Sequence, residues 1–133
     1  MHINLESDYA VRIVRCLALA ADRLDAQTIA DSTCVSLRFT LKIMRKLVAA
    51  EIVRSYKGAR GGYVLAKEPK EITLRQVIEA VEGPYRFSRC VDGEYDCNCS
   101  TVNACPFHSV FDEVTQLVVK KLDEVTFDTL AAK

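Results

Sequence analysis

The sequence predicts a mostly α-helical chain with one small β-hairpin, and three observations carry that expectation. Residues 37–50 form a two-faced helical pattern, with apolar side chains on one side and Arg38, Lys42 and Arg45 on the other. Residues 52–56 and 63–66 are β-prone and flank the run Lys57-Gly58-Ala59-Arg60-Gly61-Gly62, as in a hairpin with a glycine-rich loop. Pro106 opens a long stretch to about Val125, in which Phe107, Phe111, Val114, Val118, Leu122 and Val125 recur at three–four spacing. Two short helices, a cationic helix and a basic hairpin, in that order, make a winged helix-turn-helix. The long C-terminal helix offers a seam for another helix.

The remaining elements follow in order. Ala10, Ile13, Val14 and Leu17 predict a first helix over residues 7–21, and Asp22 to Asp25 form a polar break. Residues 26–32 read as a second helix with Ile29 inward, and Thr33 to Val35 as the turn. Ser36 is the expected N-cap of the third helix. On that helix Phe39, Ile43 and Leu47, with Thr40 and Met44 beside them, are expected to pack on the first two helices. Thr73 and Gln76 make a capping-box pair that starts a fourth helix; Leu74, Val77, Ile78 and Val81 give it one apolar face, and Gly83-Pro84 ends it. Residues 84–104 have no helical period. Thr126 is expected to cap a last short helix to Ala132.

A chain of 133 residues, half of them hydrophobic, fits one domain or one domain with an appendage. No apolar run approaches the length of a bilayer span, and the N-terminus lacks the basic and apolar regions of a signal peptide, so a cytoplasmic location with no membrane partner is expected. Net charge is zero, but residues 36–67 carry eight Lys or Arg against the single acid Glu51, while the flanking segments are acidic. One basic block in a neutral chain is a directed electrostatic footprint for nucleic acid. An enzyme is not expected: there is no glycine-rich nucleotide loop, no nucleophile–base pair and no sign of a small-molecule substrate, and the only histidines are His2 and His108.

Six cysteines in a reducing compartment argue for something other than disulfides. Cys16 and Cys34 sit alone in apolar surroundings and read as buried core thiols. Cys90, Cys97, Cys99 and Cys105 fall within sixteen residues and read as a metal-binding cluster. Their spacings of six, one and five intervening residues make a poor zinc pattern, since structural zinc sites use close pairs, and an iron–sulfur cluster fits better. Zinc or a thiol switch is the alternative.

The stretch V-S-L-R-F-T-L-K-I-M-R-K-L, then K-G-A-R-G-G-Y-V-L-A, then I-T-L-R-Q-V-I-E-A-V-E-G resembles the Rrf-two family of bacterial transcription regulators, including its IscR-like and NsrR-like members. The resemblance runs from Leu5 to Leu130. It implies a homodimeric repressor that binds a palindromic operator in double-stranded DNA, with residues 1–83 as the winged helix-turn-helix domain, 84–108 as a cluster-binding loop and 106–133 as dimerisation helix and C-terminal short helix. DNA contacts are expected from Ser36, Arg38, Phe39, Lys42 and Arg45 on the third helix and from Lys57, Arg60 and Gly61 in the wing. Cys90, Cys99, Cys105 and His108 match the family's ligand run for a 2Fe–2S or 4Fe–4S cluster. The gap from Cys90 to Cys99 is longer than in that run, which keeps Cys97 as an alternative ligand. Asp8 stands where some members place an acidic ligand on the first helix, as an alternative to His108. The residues alone also allow Asp8 to be a first-turn acid facing the helix dipole.

Overall fold

A computed structural model describes residues 2–95, 97–98 and 105–131. Helix α1 spans Leu5–Leu19, earlier than its apolar spacing suggests, because Asn4 caps it: the Asn4 side chain accepts the Ser7 N–H at 2.8 Å. Asp25 caps α2 (Ala26–Thr33) by accepting the Thr28 N–H at 2.7 Å. Ser36 caps α3 (Leu37–Ala49) as expected, accepting the Phe39 N–H at 3.2 Å. Three local caps thus fix where each helix of the helix-turn-helix begins.

The core gathers Ala10, Ile13, Val14 and Leu17 of α1, Ile29 of α2, and Ile43, Met44 and Leu47 of α3. The buried stripe of α3 is Thr40, Ile43, Met44 and Leu47, and this corrects one expectation. Phe39 is 38% exposed and lies at the margin of the stripe, its ring edge-on to Tyr9 at 5.7 Å. One helical step separates Phe39 from the buried Thr40, enough to rotate it out of the core.

Strands β1 (Val53–Tyr56) and β2 (Gly62–Leu65) pair antiparallel, Val53 opposite Leu65 and Tyr56 opposite Gly62. A single residue of the α1–α2 break joins them: Leu24 exchanges two backbone hydrogen bonds with Tyr63, at 3.2 and 2.8 Å. The glycines at the loop's end are required by close backbone approaches, one within the hairpin and one to Leu24. A Cβ on Gly61 would stand 2.7 Å from the Tyr56 carbonyl oxygen, and Gly62 has φ +144 with the Leu24 oxygen 2.8 Å from where its Cβ would be.

Helix α4 (Leu74–Glu82) carries the expected capping box between Thr73 and Gln76 and buries Val77, Ile78 and Val81. Helix α5 runs Pro106–Glu124, and α6 runs Phe127–Ala131. The chain folds back before α6: Thr126 bridges Thr73, and the Phe127 N–H donates to the Ile72 carbonyl at 3.1 Å. Phe127 is fully buried within the same core as α1 and α3, so α6 packs on the winged head. No helix among the described residues is long and apolar enough to cross a membrane.

The two isolated thiols differ from expectation. Cys34 is exposed, not buried: it closes α2 in a left-handed backbone conformation (φ 57), a cap position outside the helix's inward face. Cys16 is half-buried, and burial pushes its thiol up, with a Ser32 hydrogen bond acting the other way.

Candidate nucleic-acid interface and metal-ligand segment

Arg38, Lys42 and Arg45 are exposed on α3 opposite its buried stripe, with Phe39 exposed at the stripe's margin and Ser36 exposed at the N-cap. The face is tied to the start of α1 through Glu6. Its carboxylate lies 2.9 Å from Lys46 Nζ and 3.6 Å from Lys42 Nζ, and Lys46 also donates to the Val81 carbonyl at 3.2 Å. Lys42 is therefore partly shared with an acid, while Arg38 and Arg45 have no side-chain partner among the described residues. Sequence spacing missed Glu6 because it belongs to a different helix.

In the wing, Lys57 and Arg60 are exposed and Gly61 is half-buried. The Gly61 N–H donates to the Gly58 carbonyl at 2.9 Å, closing the loop. Arg23 from the α1–α2 break lies over the Tyr56 ring, 3.7 Å from its centroid, and donates from Nη1 to the Arg60 carbonyl at 3.1 Å. No sequence pattern signals this contact, since Arg23 falls in the polar break.

The cysteine segment is held at its start. The Tyr85 N–H donates to Glu79 Oε1 at 2.9 Å, and the Phe87 N–H donates to Thr115 Oγ1 on α5 at 3.1 Å. Phe87 also packs on Phe111, with ring centroids 5.3 Å apart. A short 3-10 turn at Arg89–Val91 carries Cys90, whose thiol donates to Ser88 Oγ at 3.3 Å. Cys97 and Cys105 are half-buried, and Cys105 stands at the N-cap of α5 without a side-chain hydrogen bond there. Cys99 lies outside the described residues.

His108, in the first turn of α5, has a buried Nδ1 with no hydrogen-bond partner among the described residues. A buried polar atom left unpaired is rare in folded proteins and asks for a ligand or a partner. Asp8 is a first-turn acid of α1, and Arg12 donates to it at 2.6 Å. Among the described residues no three His, Cys, Asp or Glu side chains come together in metal-binding geometry. The donor types nevertheless suit a thiolate-rich cluster, with His108 Nδ1 a buried nitrogen donor among them.

A capped cationic helix behind a tight turn, flanked by a basic hairpin, defines a winged helix-turn-helix transcription regulator. The family model "Rrf2: Iron-dependent Transcriptional regulator" matches residues 3–133. The chain belongs to the Rrf2 family of DNA-binding transcriptional regulators and is not an enzyme. It is 35% identical to an HTH-type transcriptional regulator of Aquifex aeolicus, over 80% of this chain and 74% of that one. It is 26% identical to the regulator NsrR of Shouchella clausii, over 98% and 88%. Among solved structures, T. potens IscR superposes with TM-score 0.76 at 23% identity, covering 98% of this chain and 85% of that one. CymR, the global cysteine regulator of B. subtilis, superposes with TM-score 0.72 at 27% identity, covering 99% and 97%.

Proposed function

We propose that this regulator is a homodimeric repressor whose operator affinity is set by an iron–sulfur cluster. The cluster is held by Cys90, Cys99 and Cys105 with His108 as fourth ligand; Cys97 and Asp8 are the alternatives. The observation that carries the reading is the buried His108 Nδ1, without a hydrogen-bond partner among the described residues and one helical turn from Cys105. The family description as iron-dependent supports it. When bound, such a cluster supplies a centre that responds to oxygen, nitric oxide or iron supply.

The chain's own residues do the rest. The segment carrying Cys90 is tied to α4 by Glu79 and to α5 by Thr115, so any rearrangement of residues 85–108 bears on both helices. Helix α5 exposes Phe107, Val110 and Leu117 at 68%, 53% and 69%, an apolar face that a second copy would cover. Two heads related by a two-fold axis read a palindrome in the cytoplasm's DNA, each placing α3 in the major groove with Arg38, Lys42 and Arg45 toward it. Lys57 and Arg60 reach phosphate or the minor groove. A coupling of roughly 1–3 kcal/mol between segment and heads changes affinity about 5–150-fold.

The test is anaerobic purification. Brown protein carrying iron and sulfide, with an electrophoretic mobility shift that differs between loaded and stripped forms, is expected. Colourless protein with stoichiometric zinc, or with neither metal, overturns the cluster. A second reading is then favoured by the 27% identity to CymR over 97% of that chain: a cluster-free regulator responding through thiols, zinc or a protein partner.

A further inference from the structure

We propose that Arg23 is the positioning residue of the wing: it clamps the hairpin tip against the α1–α2 break and so fixes where Arg60 meets DNA. The inference rests on the reading of the wing as a DNA-contacting element.

Three tethers converge on the hairpin from one short segment. Leu24 pairs with Tyr63 through two backbone hydrogen bonds and holds the start of β2, next to the loop. The Arg23 guanidinium lies 3.7 Å from the Tyr56 ring centroid and holds the end of β1. Its Nη1 donates to the Arg60 carbonyl at 3.1 Å and holds the tip itself. Arg23 is in turn set by its own backbone N–H, which donates to Asp22 Oδ1 at 2.8 Å.

A two-stranded hairpin is marginal by itself and free to tilt on its base. A DNA-contacting loop needs a defined tilt, because a misplaced arginine gains little. Arg23 supplies the missing constraint with two features of one flat group, its face on the ring and its edge on the carbonyl. Lysine has neither the plane nor the fork. Both partners are uncharged, and a cleft of about 520 Å³ lined by Asp22, Arg23, Arg60 and Gly61 opens beside them. That cleft also offers the rival role: Arg23 as a direct phosphate contact.

The experiment uses the full chain, in whichever of its iron-loaded and stripped forms retains DNA, and a duplex selected by that form from a randomised pool. Arg23→Ala and Arg23→Lys are both expected to weaken binding roughly 5- to 20-fold. Tyr56→Leu weakens it less, and the double variant Arg23→Ala/Tyr56→Leu is no worse than Arg23→Ala. The slope of log affinity against log salt stays at the wild-type value. In the free protein, hydrogen exchange at the Gly61 and Tyr63 amides quickens in Arg23→Ala, while the Leu47 amide keeps wild-type protection. The proposal is overturned if Arg23→Lys restores affinity while Arg23→Ala lowers the salt slope by about one, the mark of a phosphate contact. Unchanged exchange at the wing overturns it as well. Wild-type binding by Arg60→Ala removes instead the wing's role in DNA contact, whatever the exchange result says about the clamp.

Discussion

Helices α1 and α5 are the two longest in the molecule's described part, and they are built differently. Five of the fifteen residues of α1 are buried, against one of nineteen in α5. The winged head closes on itself, with capped helices, a common core and Phe127 sealed into it. The cysteine segment and α5 do not. Phe107, Val110 and Leu117 face outward, and a cavity of about 540 Å³ opens between α4, residues 84–87 and α5, lined by Ile78, Pro84, Phe87, Val118 and Leu122 among others. The head buries its apolar faces within itself, whereas the cysteine segment and α5 leave apolar surface uncovered, which under the proposed function a second chain and a metal centre would complete.

The sharpest way to break that comparison is to remove a ligand. Cys99→Ala is expected to abolish visible absorption and iron content entirely, and Cys97→Ala to keep both; metal analysis of anaerobic protein reads the difference. The reverse result would transfer the ligand role to Cys97. The head should melt at the same temperature in both variants if its stability is its own. Next in size is the interface. Leu117→Asp places a charge on the exposed face of α5, and a two-fold interface counts each change twice. Losing a buried leucine costs about 1.5–3 kcal/mol, so association should weaken by roughly 3–6 kcal/mol in sedimentation equilibrium. A dimer of undiminished affinity would mean that α5 pairs through another face.

Phe127→Ala tests the head from the opposite side. The residue comes from the last helix yet lies in the first domain's core, so truncation should cost about 3–5 kcal/mol in chemical denaturation. A cost under about 1 kcal/mol would return α6 to the C-terminal unit.

What was legible in the sequence is what local chemistry decides. The Ser36 cap, the Thr73–Gln76 capping box and Pro106 at the start of α5 each act within one helical turn, and each stands where it was expected. The glycine-rich hairpin was legible for the same reason. The cationic face of α3 was visible as well, although Phe39 turned out to belong to its margin rather than to the core. The contacts that escaped are long-range. Glu6 against Lys46, Leu24 against Tyr63, Arg23 against Tyr56 and Phe127 against Ile72 join segments whose patterns say nothing of each other. Cys34 escaped differently: the general tendency of free thiols to be buried does not reveal that this one caps a helix and faces out.

The smallest effect tests where the two halves meet. Thr115 is the one buried residue of α5; its hydroxyl donates to the Phe111 carbonyl at 2.8 Å and accepts the Phe87 N–H at 3.1 Å. Thr115→Val keeps the shape and removes the acceptor, leaving the Phe87 N–H unpaired. A cost of about 1 kcal/mol is expected, confined to residues 84–91 and seen as faster exchange of the Phe87 amide with no change at Val14 or Ile43. Faster exchange throughout the head would mean that the halves share one cooperative unit. An unchanged Phe87 amide would mean that Thr115 does not hold the cysteine segment to α5, which would leave Phe87 against Phe111 and Glu79 against Tyr85 as its ties to the two helices.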